Sequence, residues 1–141
     1  MTNLLIDTQF DDLIAVALTA RSNAYAPYSK FAVGAAVKCK SGAVFGGANI
    51  ENRSFGLTIC AERVAIGAAV SGGERDFAAI AVTADSDEPI VLCGACRQFL
   101  AEFNPDLIIV SATIRGARKI DRLSRLLPDP TRGILGHADP S

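Results

Sequence analysis

The sequence predicts an α/β domain whose sheet is covered by helices on both faces, and three observations carry that expectation. Residues 77–84 and 107–113 are apolar nearly throughout, as strands buried on both faces are. They alternate with stretches of helical character at residues 60–70 and 93–103. The chain has 141 residues, 50% of them apolar and none Trp. That length suits one domain, able to bury roughly two thirds of its unfolded surface.

Taken in order, the first helix is expected over residues 8–23. Phe10, Leu13, Ile14, Ala17 and Leu18 fall on one face, and Asp11 and Asp12 occupy the first turn, where the helix dipole favours acids. Pro27 biases Ala26 away from helical angles, so the helix breaks within Tyr25-Ala26-Pro27-Tyr28-Ser29. Residues 31–38 and 43–50 are β-type runs joined by Lys40-Ser41-Gly42, which reads as a hairpin. A second helix over residues 60–70 stops at Ser71-Gly72-Gly73. The strand at 77–84 leads into Asp85-Ser86-Asp87-Glu88-Pro89, an acidic loop read as solvated. A third helix over residues 93–103 ends near Asn104-Pro105, and the strand at 107–113 follows. A weaker strand is expected at 118–120 and a short helix at 121–127, before Pro128. The domain is placed at residues 1–135, with 136–141 as a loose tail. There is no internal repeat and no low-complexity linker.

Composition narrows the partners. The net charge is −1, with Lys and Arg scattered, so no basic stripe suggests a nucleic-acid partner. The first seven residues lack the charged and apolar regions of a signal peptide, and no run approaches the ~20 apolar residues of a membrane span. Four cysteines in such a chain point to a reducing cytoplasm and to metal binding rather than a disulfide frame.

The chemistry concentrates in Cys60-Ala61-Glu62-Arg63 and Cys93-Gly94-Ala95-Cys96. Three thiols can fill three corners of a zinc tetrahedron and leave the fourth open, the arrangement that separates catalytic from structural zinc. Cys60 opens one expected helix and Cys93 and Cys96 open another, and helix N-termini favour the thiolate that binds metal. Three thiolates leave a bound Zn²⁺ at a net charge of about −1. Arg63, one turn from Cys60, can hydrogen-bond the sulfurs and offset that charge; otherwise it is a solvated helix arginine. Glu62, two residues past Cys60, can act as a general acid and base beside the open position, taking a proton from water and passing it on, provided it reaches both groups. Its plainer reading is an exposed helix residue. Two other readings of the thiols compete. One is a closed structural site with Cys39 as fourth ligand, although Cys39 reads more simply as a small hydrophobe. The other is a redox dithiol at Cys93 and Cys96, which leaves Cys60 and Glu62 without a part.

The paired C-x-E and C-x-x-C pattern is that of zinc-dependent nucleobase deaminases in their all-cysteine form. With Ala24-Tyr25-Ala26-Pro27-Tyr28-Ser29-Lys30-Phe31 and Asn49-Ile50-Glu51-Asn52, the chain closely resembles the small homotetrameric zinc-dependent cytidine deaminases. The similarity covers roughly residues 10–128. It implies a three-layer α/β/α sandwich with a mixed five-stranded sheet, one Zn²⁺ per chain and a cytidine or deoxycytidine substrate. By the same resemblance Cys60, Cys93 and Cys96 hold the metal, Glu62 is catalytic, and Asn49 and Glu51 hold the ribose 3′-hydroxyl. Phe31 would line the nucleoside pocket, the Ala61 carbonyl would accept from the base amino group, and Phe55 would reach in from a neighbouring subunit of the tetramer. A related aminopyrimidine deaminase, such as one acting on blasticidin S, is the neighbouring alternative. A non-catalytic zinc-stabilised module is the alternative of another class.

Two departures stand out against that family. Leu92 occupies the place where a Pro usually precedes the first Cys of C-x-x-C, which restores a backbone N–H and frees φ. Relatives also carry an aromatic shortly after Leu-Leu-Pro, whereas Leu126-Leu127-Pro128 here is followed by Asp129-Pro130-Thr131-Arg132-Gly133, and no aromatic follows Phe103. Either Arg132 supplies a planar cationic surface in its place, or the pocket is more open there. His137, the single histidine, is expected in the tail and is not read as a ligand.

Overall fold

The computed structural model describes residues 8–131. Arg132, His137 and the expected tail lie outside that range. Helix α1 spans Asp11–Arg21, strand β1 Val33–Cys39 and strand β2 Val44–Ala48. A single 3-10 turn, Phe55–Leu57, precedes helix α2 at Ala61–Ser71 and strand β3 at Phe77–Ala84. Helix α3 spans Gly94–Ala101, strand β4 Ile108–Thr113, strand β5 Arg118–Arg122 and helix α4 Leu123–Leu126.

The strands form one mixed sheet in the order β2-β1-β3-β4-β5. β1 is antiparallel to both β2 and β3, β3 and β4 are parallel, and β5 closes the edge antiparallel to β4. Because successive strand residues point to opposite faces, the apolar strands feed two cores at once. Val33, Ala35, Val37, Ile80, Val82 and Ile109 pack toward α2 and α3. Ala36, Ala79, Ala81, Val110 and Ala112 pack toward Leu13, Ile14 and Ala17 of α1. The result is the expected three-layer α/β/α sandwich.

Two glycines set how closely the layers approach. A Cβ on Gly34 would lie 2.0 Å from the Ala17 carbonyl oxygen of α1, and one on Gly47 would lie 2.5 Å from the Ala65 nitrogen of α2. Gly42 in the β1–β2 hairpin has φ +98°, which explains why Gly stands there.

The elements differ from expectation mainly at their ends. β1 begins at Val33 and not at Phe31, because the Asn49 side chain takes over the bonding there. Its Oδ1 accepts from Val33 N at 2.9 Å and its Nδ2 donates to Phe31 O at 2.9 Å. The helix expected over residues 121–127 is shorter, since Asp121 and Arg122 continue β5 opposite Ile109 and Ile108. The acidic loop is tied down as well: Arg115 pairs with Asp85 at 3.1 Å and with Asp87 at 3.6 Å.

Candidate active site

Cys60 is the N-cap of α2 and Cys93 the N-cap of α3, each with extended backbone, so both side chains stand at the mouths of helices. α2 and α3 cover the same face of the sheet, which brings together thiols 33 residues apart in sequence: Cys60 Sγ and Cys93 Sγ lie 3.9 Å from each other. Cys96, wholly buried, completes the cluster, and all three sulfurs lie within 4.8 Å of one another. The Cys96 N–H donates to Cys93 Sγ at 3.5 Å, so this ligand also caps its helix.

The charges around the thiols are uneven. The Cys60 thiol is pulled down to about 5, first by a hydrogen bond from the Cys96 thiol, with further bonds from Arg63 and Cys93 outweighing the cost of burial. Cys96 is pushed well up by its bond to Cys60 and then by burial. Arg63 Nη2 donates to Cys60 Sγ at 3.6 Å. Its Nε is buried without a hydrogen-bond partner. Glu62 is 4% exposed, and burial drives its carboxyl above the ordinary carboxylate range.

This donor set fits zinc. Three convergent sulfurs of soft character, flanked by one arginine and open on one side, suit a tetrahedral ion with a free position. Cys39 does not close the site. It is buried at the end of β1 among core side chains, and the cluster among the described residues comprises Cys60, Cys93 and Cys96 alone.

Beside the sulfurs lies a cleft of about 290 Å³. Phe31, Asn49, Glu51, Ala61 and Glu62 line it together with Cys60 and Cys93. Phe55 stands outside it, 74% exposed, in a neighbouring concavity with Tyr28, Ser29, Glu51 and Thr58. Arg63 does not line the cleft; its guanidinium lies against Cys60 Sγ.

Glu51 is fixed before any ligand arrives. Its Oε1 accepts from Tyr28 N at 2.9 Å and Ser29 N at 3.1 Å, and its Oε2 accepts from the Ser29 hydroxyl. Those bonds, the hydroxyl first, hold the carboxyl below its ordinary value. Ala61 lines the cleft through the start of its helix. As the first residue of α2 its carbonyl runs along the helix, near Ala65 N and against Gly47, so the free group it offers is its N–H. Sequence reasoning also passed over Ser29, Ile90 and Val91, which line the cleft. Ser29 sits inside a block singled out for its pattern, but its bond to Glu51 spans 22 residues and has no local signal.

Residues 7–112 match the family described as the cytidine and deoxycytidylate deaminase zinc-binding region. The chain belongs to this deaminase family. Among its relatives, the cytidine deaminase of Halalkalibacterium halodurans is 51% identical over 117 residues, 82% of this chain and 89% of that protein. The cytidine deaminase of Sporosarcina psychrophila is 45% identical over 119 residues, 84% of this chain and 88% of that protein. The crystal structure of cytidine deaminase from Burkholderia pseudomallei superimposes with a TM-score of 0.83 at 46% identity, covering 85% of this chain and 97% of that one. The deaminase fold and a zinc cofactor therefore agree with the sheet order and the three-thiol cluster. Among the described residues no helix is long and apolar enough to cross a membrane.

Proposed function

We propose that this deaminase hydrolyses cytidine and deoxycytidine to uridine and deoxyuridine, releasing ammonia, as a cytoplasmic homotetramer in pyrimidine salvage. The observation that carries the reading is the position of Glu62. It is a buried carboxyl lining the same cleft as two thiols of the cluster, and Asn49 and Glu51 line that cleft with it.

Cys60, Cys93 and Cys96 would hold the zinc, with Arg63 balancing the thiolates. Bound there, zinc supplies the Lewis acidity that makes water a nucleophile near neutral pH. Glu62 takes the proton from the attacking water and delivers it to the ring nitrogen N3. It then assists the proton transfer to the exocyclic nitrogen as the C4–N bond breaks and ammonia leaves. The oxygen of water stays on C4, so cytidine and water balance uridine and ammonia.

The remaining residues orient the nucleoside. Glu51 Oε2 keeps a lone pair beyond the one given to Ser29, and Asn49 Nδ2 keeps a hydrogen beyond the one given to Phe31. These free positions hold the ribose 3′-hydroxyl. Phe31 flanks the base, and the Ala61 N–H donates to its C2 carbonyl oxygen. Phe55, exposed at a neighbouring concavity, would reach the cleft of an adjacent subunit of the tetramer. The relatives at 45–51% identity carry the name cytidine deaminase, which favours the nucleoside over other aminopyrimidines.

The test is a substrate panel with zinc-loaded protein: cytidine, deoxycytidine, cytosine and blasticidin S, followed by loss of absorbance. Turnover of the two nucleosides is expected. Inactivity toward both, with one zinc retained per chain, would sink the proposal.

A further inference from the structure

We propose that Ser111 is a positioning residue for the Cys93 ligand, acting through a hydrogen bond to the carbonyl of Ile90. The proposal rests on the zinc-dependent reading of the site above. β4 is apolar at Ile108, Ile109, Val110 and Ala112, and Ser111 places a hydroxyl among them on the face that Ile109 turns toward α2 and α3. It is 4% exposed. A buried hydroxyl is tolerated when it is bonded. Here Ser111 Oγ donates to Ile90 O at 2.7 Å, across 21 residues of sequence.

What this bond holds is the lead-in to the metal. Residues 89–93 form neither strand nor helix, so no ladder sets their position. Side-chain packing moors the segment at Leu92, 2% exposed in the core, and at half-buried Ile90, and the Ile90 carbonyl held by Ser111 adds a backbone anchor. Leu92 fixes a side chain and leaves the backbone around it free to turn. Ser111 fixes the backbone itself. Between them Val91 is 61% exposed and lines the cleft with Ile90. Cys93 follows at once, the most exposed of the three thiols. Cys96 is locked by the packing of α3, whereas Cys93 is held from two sides: by α3, through the Cys96 N–H on its Sγ and the Arg97 N–H on its carbonyl, and by the strap that precedes it.

The experiment measures zinc release from the purified, zinc-loaded protein to a chromophoric chelator, beside KM and kcat for cytidine. Ser111→Ala is expected to release zinc about tenfold faster, in the range seen when groups supporting metal ligands are lost. Its KM should rise more than its kcat falls, since Ile90 and Val91 line the cleft. Ser111→Thr, which keeps the hydroxyl, should restore slow release. Ile109→Val trims the same face without touching the bond, and should lower the melting temperature while leaving release unchanged. The proposal is overturned if Ser111→Ala matches the native release rate and loses only thermal stability, as Ile109→Val does. Should Ser111→Ala not fold, Ser111→Cys keeps the volume, weakens the donor and takes its place under the same criterion. Zinc release needs no turnover, so failure of the native protein on cytidine would count against the reaction and leave this comparison readable.

Discussion

Glu62 and Glu51 are two carboxylates put to opposite uses by their surroundings. Glu62 is buried beside the thiols, while Glu51 lies half-buried in a loop and accepts from Tyr28 and Ser29 with one position on Oε2 to spare. Replacing Glu62 with Gln keeps shape and removes the proton carrier, so deamination should fall by about 10²–10⁴-fold with zinc content unchanged; activity assays matched by metal analysis check this. For Glu51 the sign follows from its lowered pKa. A carboxyl held low contributes fully above its unfolded value, and loses that contribution as the pH falls through the folded one. Binding through Glu51 should therefore persist through mildly acid pH. Ser29→Ala should move its titration up, read by NMR of the Glu51 carboxyl, with the rise in KM on acidification starting at higher pH. The thiols and Glu62 were legible in sequence because their spacing is local to two helix starts. The Ser29 bond to Glu51 and the Ser111 bond to Ile90 were not, since each joins segments more than twenty residues apart.

α1 and α2 press on opposite faces of the sheet through glycines, and only one of the two helices carries a ligand. Gly34→Ala would drive a methyl to 2.0 Å from Ala17 O, and Gly47→Ala to 2.5 Å from Ala65 N, backbone atoms in both cases. Each substitution should cost about 1–3 kcal/mol or more of stability, read as a lower melting temperature. Gly47→Ala should also weaken zinc retention, because α2 must shift and Cys60 shifts with it. Gly34→Ala should not. Helix and strand identities were legible from apolar runs and from the Gly and Pro that end them. Their limits were less so: side-chain bonding by Asn49 displaced the start of β1, and the charged run of β5 gave a weak strand signal that stopped at 120 where the strand runs on to Arg122.

At the scale of the molecule, apolar side chains stand exposed beside the cleft. Phe55 and Leu57 stand far out on the 3-10 turn, and Tyr28 meets Phe55 edge-on at 5.9 Å between ring centres. In the proposed tetramer these groups are covered by another subunit. Phe55→Asp should then shift the protein toward smaller species in sedimentation velocity and reduce activity together with assembly. The layer architecture followed from alternating apolar strands and helices, while the mixed strand order came from family likeness, because pairing across long crossovers has no local signature. The order has one more outcome. Cys60 and its partners Cys93 and Cys96 fall on either side of the surface turn at residues 85–88, which Arg115 fastens from the β4–β5 connection. A backbone nick there would divide the ligands between two fragments, each lacking a complete metal site. Their reunion would be a zinc-gated complementation, with the ion serving as the rivet between two halves of one sheet.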